Sequence, residues 1–139
     1  MINYGLLVKK ASRNVNKNMD NLAKPFGMTG VQMEIVDFIA SKEPGITLQK
    51  EIEAEFNIRR STTTGILQRM EKEGLIRREA LPDDSRQKMI LLTAKADRVK
   101  QQVVDYIQQE QKLLEEKFSA AELAVFRKVL SFYIERKEG

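Results

Sequence analysis

Apolar residues recur at helical spacing through most of the chain, and helix-breaking residues interrupt them at intervals. Ile2, Leu6, Leu7, Val15, Met19 and Leu22 predict a helix from Ile2 to about Leu22, which Pro25 and Gly27 break. Thr29-Gly30-Val31-Gln32 has the form of a capping box, a hydroxyl and an amide that satisfy each other's helix-end N–H groups. Met33, Val36, Ile39 and Ala40 give the helix behind it one buried face, and it stops before Pro44-Gly45. Leu48, Ile52 and Phe56 predict a third helix from Thr47 to Phe56, with Asn57-Ile58 as the turn that follows. Near the end, Val99, Val103, Tyr106, Ile107, Leu113, Leu114 and Phe118 run down one side of a long helix that Thr93 caps. Spanning 94 to 117, it measures roughly 36 Å at 1.5 Å per residue. Ser119-Ala120-Ala121-Glu122 is a second capping box, and Leu123, Phe126, Val129, Leu130, Tyr133 and Ile134 form the stripe of a last helix.

Between these helices lies the stretch that organises the rest, Ile58 to Thr93. Its helix buries Thr63, Ile66, Leu67 and Met70, and the opposite face carries Ser61, Thr62, Gly65, Gln68, Arg69 and Lys72 with no acid among them. Gly74 ends that helix, as glycine does where a left-handed residue is needed. Leu75–Ala80 and Lys88–Thr93 then read as two strands, with Leu81–Gln87 as a turn-rich tip. Ser61-Thr62-Thr63-Thr64-Gly65 is a poor helix former, giving up roughly 2–3 kcal/mol of propensity against alanine. A frayed first turn would explain it. So would a surface where short hydroxyls and a missing side chain let the helix come close to another molecule. The basic hairpin behind the helix favours the second explanation. A helix with a basic outer face followed by a basic hairpin is the recognition helix and wing of a winged helix-turn-helix.

The segment from Ser61 to Arg78, S-T-x-T-x-x-L-x-x-M-E-K-E-G-L-I-x-R, followed by Asp84-x-Arg86 and Leu92-Thr93, resembles the MarR family of transcription regulators. Gly-Met-Thr-Gly-Val-Gln at 27–32 is similar to that family's G-L-T-x-x-Q opening of its second helix. The resemblance covers nearly the whole chain. It implies a winged helix-turn-helix lobe over about 29–93, with helical dimerisation regions at about 1–24 and 94–139. It also implies a short strand at Ile46 joining the wing sheet. The expected fold is thus mainly α with a small β-wing, in one domain.

Composition narrows the function. The 139 residues include no Cys and no His, which excludes disulfides and thiol-based redox sensing and makes a zinc site implausible. No metal or other cofactor is expected. No apolar run approaches the ~20 residues of a membrane span, and MINYGLLVKK is too short an apolar start for a signal peptide. A cytoplasmic protein with no membrane partner is therefore expected. The net charge of +4 is mild, so its distribution matters more: Arg59, Arg60, Arg69, Lys72, Arg77, Arg78, Arg86 and Lys88 all fall in the central stretch.

These readings give an expected interface with double-stranded DNA. Arg60, Arg69, Lys72, Arg77 and Lys88 supply phosphate affinity, and Ser61, Thr62, Thr64, Gln68 and Arg69 are candidates for base edges or nearby phosphate. Gly65 admits close approach, and Arg86 suits the minor groove. The resemblance implies that Asp84 holds Arg86 or the wing turn. Glu51, Glu53 and Glu55 argue against the third helix as the element that enters the groove. The apolar stripes of the terminal helices need a partner, and a second copy of the chain is the simplest; Leu6, Val103, Leu114, Leu123, Phe126, Leu130 and Tyr133 are the expected contacts. The family often takes a small-molecule effector, and Lys10, Arg13, Met28, Met33 and Phe38 are the residues placed to line its pocket. The expected function is a sequence-specific repressor acting as a homodimer on a pseudo-palindromic operator. A winged-helix module that binds protein alone is the alternative, opposed by the basic wing. An enzyme has little support without His, Cys or a Gly-rich phosphate loop.

Overall fold

The structure, a computed structural model, describes residues 1–136; the last three positions of the expected C-terminal helical region, 137–139, lie outside them. Six helices and three strands follow in the order α1 (Tyr4–Ala23), α2 (Gly30–Lys42), β1 (Thr47–Leu48), α3 (Gln49–Phe56), α4 (Arg60–Lys72), β2 (Ile76–Leu81), β3 (Asp84–Leu92), α5 (Asp97–Lys117) and α6 (Ala120–Glu135). Residues up to Val103 form one compact unit and those from Val104 a second.

In the first unit the helix ends follow local chemistry. The Asn3 side chain caps α1 by accepting from the Leu6 N–H at 3.0 Å. Pro25 sits in a single 3-10 turn over Lys24–Phe26, and Gly27, at φ 68°, ends it. The Thr29–Gln32 capping box forms at both ends: the Gln32 N–H donates to Thr29 Oγ1 at 3.2 Å, and the Thr29 N–H to Gln32 Oε1 at 3.1 Å. Gly30 is required by close packing, since its N–H donates to Asp20 Oδ1 at 2.7 Å and a Cβ would lie 2.7 Å from the same oxygen. Met33, Ile35, Val36 and Ile39 of α2 are buried, whereas Ala40 is only half-buried. Ile52 of α3, Leu67 and Met70 of α4, Ile76 and Ile90 of the hairpin, and Val99 and Val103 of α5 belong to the same core.

The sheet has the order β1-β3-β2 and is antiparallel throughout. The extra strand lies at Thr47–Leu48, paired with Ile90 and Met89, not at Ile46, which is half exposed. That pairing takes residues 47 and 48 out of the expected third helix, so α3 begins at Gln49, where Glu51 accepts from the Leu48 N–H at 2.8 Å. Asn57, at φ 50°, turns the chain out of α3, a left-handed position that Asn tolerates well.

The hairpin is longer than its sequence pattern predicts. Leu81 pairs with Asp84, leaving only Pro82-Asp83 as the turn, and the next pair is Ala80 with Lys88. Ser85, Arg86 and Gln87 therefore bulge from β3 opposite no residue of β2, an irregularity that apolar alternation cannot show. At the hairpin's base, Gly74 (φ 77°) closes α4: its N–H donates to Glu71 O at 3.0 Å and the Leu75 N–H to Met70 O at 3.0 Å, a Schellman motif. The returning strand clasps the same corner. The Thr93 N–H donates to Leu75 O at 3.1 Å, Thr93 Oγ1 to Gly74 O at 2.5 Å and Lys95 Nζ to Glu73 O at 2.6 Å. The Thr93 hydroxyl is thus committed to this corner and does not cap the long helix. A 3-10 turn over Ala94–Ala96 intervenes, and α5 starts at Asp97.

In the second unit the Ser119–Glu122 box forms as its sequence predicts, with Glu122 N–H to Ser119 Oγ at 3.1 Å and Ser119 N–H to Glu122 Oε1 at 2.9 Å. No residue of α6 is buried. Leu114, Leu123, Phe126 and Leu130 instead line an open cleft of about 700 Å³.

Candidate nucleic-acid interface

The site is built on α4. Thr63, Leu67 and Met70 are buried, and Thr63 satisfies its hydroxyl on Arg59 O at 2.9 Å. Burial of that face turns Ser61, Thr62, Gly65, Gln68, Arg69 and Lys72 to solvent, and all six are exposed. A Cβ at Gly65 would meet nothing within 4 Å. The chain's own packing therefore has no use for a glycine that costs about 1 kcal/mol against alanine in a helix interior. Arg69 makes an i,i+4 ion pair with Glu73 at 3.4 Å. Exposed pairs of this kind contribute little and open readily.

Thr64 differs from its neighbours. It is half-buried, and its Oγ1 accepts from Gln49 Nε2 of α3 at 2.9 Å. Gln49 Nε2 also lies 3.3 Å from Glu53 Oε2. One acid of α3 is held back: Glu51 pairs with Lys42 as well as with its own helix end, and these bonds, the Lys42 one first, hold its carboxyl below the usual range.

The wing carries Arg77, Asp84, Arg86 and Lys88. Arg77 and Lys88 are exposed. Asp84 Oδ1 accepts from the Arg86 N–H at 3.1 Å and from Arg86 Nε at 3.2 Å, and its Oδ2 accepts from Gln87 Nε2 at 3.2 Å. Those bonds, Gln87's foremost, keep the Asp84 carboxyl below the ordinary carboxylate range. Arg86 itself stays 90% exposed, so the bulge is braced while its guanidinium remains in solvent. Arg78, by contrast, is turned inward. Its Nε and Nη2 meet Glu71 Oε1 at 3.2 and 2.9 Å, and its N–H meets Glu71 Oε2 at 3.2 Å, which ties the last turn of α4 to β2.

One open cleft of about 570 Å³ joins these elements, lined by Gln49, Lys50, Glu53, Arg60, Thr64, Asp84, Arg86, Gln87 and Lys88 among others. Gln49 and Lys50 are absent from the sequence-based expectation. They open a helix whose run of glutamates directs attention away from it, and no local pattern reveals that the wing folds back beside them.

A helix with an acid-free exposed face, a space left open at Gly65 and a braced arginine on a bulged hairpin form the recognition half of a winged helix. The sequence profile of the MarR family matches residues 26–87, which run from before α2 into the wing. The transcription regulator MarR from Oenococcus oeni PSU-1 is 34% identical, over 96% of this chain and 100% of its own, with a TM-score of 0.82. The chain belongs to the MarR family. It is accordingly a MarR-family transcription regulator. The HTH-type transcriptional regulator YwoH of Bacillus subtilis (strain 168) is 26% identical over 108 residues, 77% of each chain. MepR of S. aureus, solved in complex with DNA, shares 19% identity over 96% of this chain and 97% of its own at a TM-score of 0.85, a likeness of fold.

The remaining expected residues of this MarR-family chain fall as follows. Leu6 (40%), Phe126 (53%) and Tyr133 (36%) are exposed, while Leu114, Leu123 and Leu130 are half-buried. Val103 is only 1% exposed and belongs to the core of its own unit, so it has no surface to offer a partner. Periodicity places Val103 on the stripe but cannot say which part of the stripe its own chain covers. Met33 is fully buried and Met28 nearly so. Phe38 packs edge-on against Phe56 with ring centroids 6.0 Å apart and lies beneath Lys42. Lys10 and Arg13 are exposed on α1. These five line neither of the two clefts described above.

Proposed function

We propose that this regulator is a cytoplasmic homodimer that represses transcription by binding a pseudo-palindromic operator in double-stranded DNA. The observation that carries the reading is the exposed face of α4, six polar or basic residues without an acid, with open space at Gly65. Ser61, Thr62 and Gln68 are the residues for base edges, with Arg69 after release from Glu73. Arg60, Lys72, Arg77 and Lys88 supply phosphate charge, and Arg86, steadied by Asp84, enters the minor groove. MepR, of the same fold, has been solved on DNA. The second copy covers the apolar surfaces of Leu6, Leu114, Leu123, Phe126, Leu130 and Tyr133. Two copies then present two recognition helices to half-sites about 34–36 Å apart, one turn of the duplex. A small-molecule effector acts by binding one spacing of those helices better than the other. Among the described residues no helix is long and apolar enough to cross a membrane.

The test is selection of genomic fragments by the purified chain, followed by titration of a selected duplex at several salt concentrations. Tight binding that weakens steeply as salt rises is expected, with one dimer per site. A chain that binds no duplex above a scrambled control at low salt does not have this function.

A further inference from the structure

We infer that the cleft between α3, α4 and the wing is a seat for one backbone phosphate of the duplex, with Lys50 as its principal charge and Thr64, set by Gln49, as its hydrogen-bond donor. The inference rests on the DNA-binding reading and adds two α3 residues to it. Three cations from three elements, Lys50 of α3, Arg60 of α4 and Lys88 of β3, line the cleft beside Arg86, which is paired with Asp84. The two acids that also line it are partly spoken for: Asp84 by Arg86 and Gln87, Glu53 by the Gln49 amide. The cleft therefore keeps an excess of positive charge in an open concavity of about 570 Å³, large enough for a phosphodiester.

The hydrogen bond from Gln49 decides what Thr64 can do. Thr64 Oγ1 is the acceptor of that bond, at 2.9 Å. A hydroxyl that accepts from an amide keeps its own proton for an acceptor elsewhere. Thr64 thus presents a donor to the cleft, and a phosphate oxygen is an acceptor that also answers the surrounding charge. A base edge carries no net charge and would offset the cluster of cations less fully than a phosphate does. The cleft also lies where α4 and the wing meet, so a phosphate held here fixes the depth of both without reading sequence.

The experiment uses the full-length dimer, a selected operator and a set of duplexes in which each phosphate of one half-site is replaced in turn by a neutral methylphosphonate. Lys50→Gln should weaken all duplexes alike, by about fivefold at 0.15 M salt and almost not at all near 1 M, with the log–log salt slope reduced by about 0.9. One phosphate position should exist whose neutralisation costs the wild type a similar factor and costs Lys50→Gln nothing further. Thr64→Val should show the same coupling at the same position. Lys50 is exposed, so its loss leaves the core intact, and circular dichroism checks this. Undiminished slope for Lys50→Gln, or additive losses at every phosphate, overturns the seat. A wild-type chain that binds no duplex at all overturns the DNA-binding reading instead, so the two failures are distinct.

Discussion

Gly65 and Arg86 show how single residues separate stability from binding. Alanine at 65 meets nothing within 4 Å beyond its own stretch of helix backbone and removes a glycine from a helix interior. Gly65→Ala should therefore raise stability by about 1 kcal/mol and, if the proposed interface holds, weaken operator binding through the added methyl. Thermal melts and anisotropy titrations of the same samples check both signs; a stabilised variant with unchanged affinity would show that Gly65 does not face DNA. Arg86→Ala should weaken every duplex and lower the salt slope by about one. It should leave the melting temperature nearly unchanged, since the ion pair it loses is exposed. Most of the α4 face was legible at this scale, because helical spacing assigns each residue a side. Thr64 was only partly legible: its spacing places it at the edge, but its hydroxyl is claimed by Gln49, fifteen positions earlier in the chain.

At the level of elements, two carboxylates of the first unit should pull stability in opposite directions. Burial, then repulsion from Asp20 and Asp37, raises the Glu34 carboxyl on α2 above its ordinary 4.5. Its ionised form is disfavoured in the fold, so stability contributed at acid pH is lost as pH rises from 4.5 through the folded value. Glu71 is lowered, chiefly by the Arg78 side chain. Its contribution is present above 4.5 and lost as pH falls through the folded value. Glu34→Gln should hence melt higher than wild type at pH 7 and Glu71→Gln lower, with both differences shrinking toward the acid limit. Melts across pH 3 to 7 decide it; a difference independent of pH for either variant removes the electrostatic cause. The elements themselves were legible where the chain carries its own stop signals, as at Thr29–Gln32, Gly74 and Ser119–Glu122. They were illegible where pairing decides. Thr47 and Leu48 have the residues of a helix start but are drawn into β1 by Met89 and Ile90, and the bulge over 85–87 depends on a register no local pattern encodes.

For the whole molecule, α6 poses the question of what covers it. Its stripe is apolar, yet none of its residues is buried within the chain. Phe126 is 53% exposed beside an open cleft. Phe126→Glu should favour monomers at micromolar concentration, since each buried aromatic is worth roughly 1.5–3 kcal/mol and a two-fold interface uses it twice. Tight operator binding should fall with dimerisation, because a monomer holds one half-site and forgoes the local concentration of a second arm. Sedimentation and operator titration test this together, and a variant that remains dimeric places the interface elsewhere.

The clasp at the hairpin's base has a consequence for engineering. Gly74, Leu75, Thr93 and Lys95 close the corner with bonds that involve neither the turn nor the bulge. With the Arg78–Glu71 bonds, the buried Ile76 and Ile90 and the β1 pairing at Met89 and Ile90, they anchor the hairpin's lower half and leave the tip, 79–88, as a replaceable cassette. Tips of other lengths and charges can be spliced onto that base, giving a series of chimeras in which α4 is constant and only the reach and charge of the wing vary.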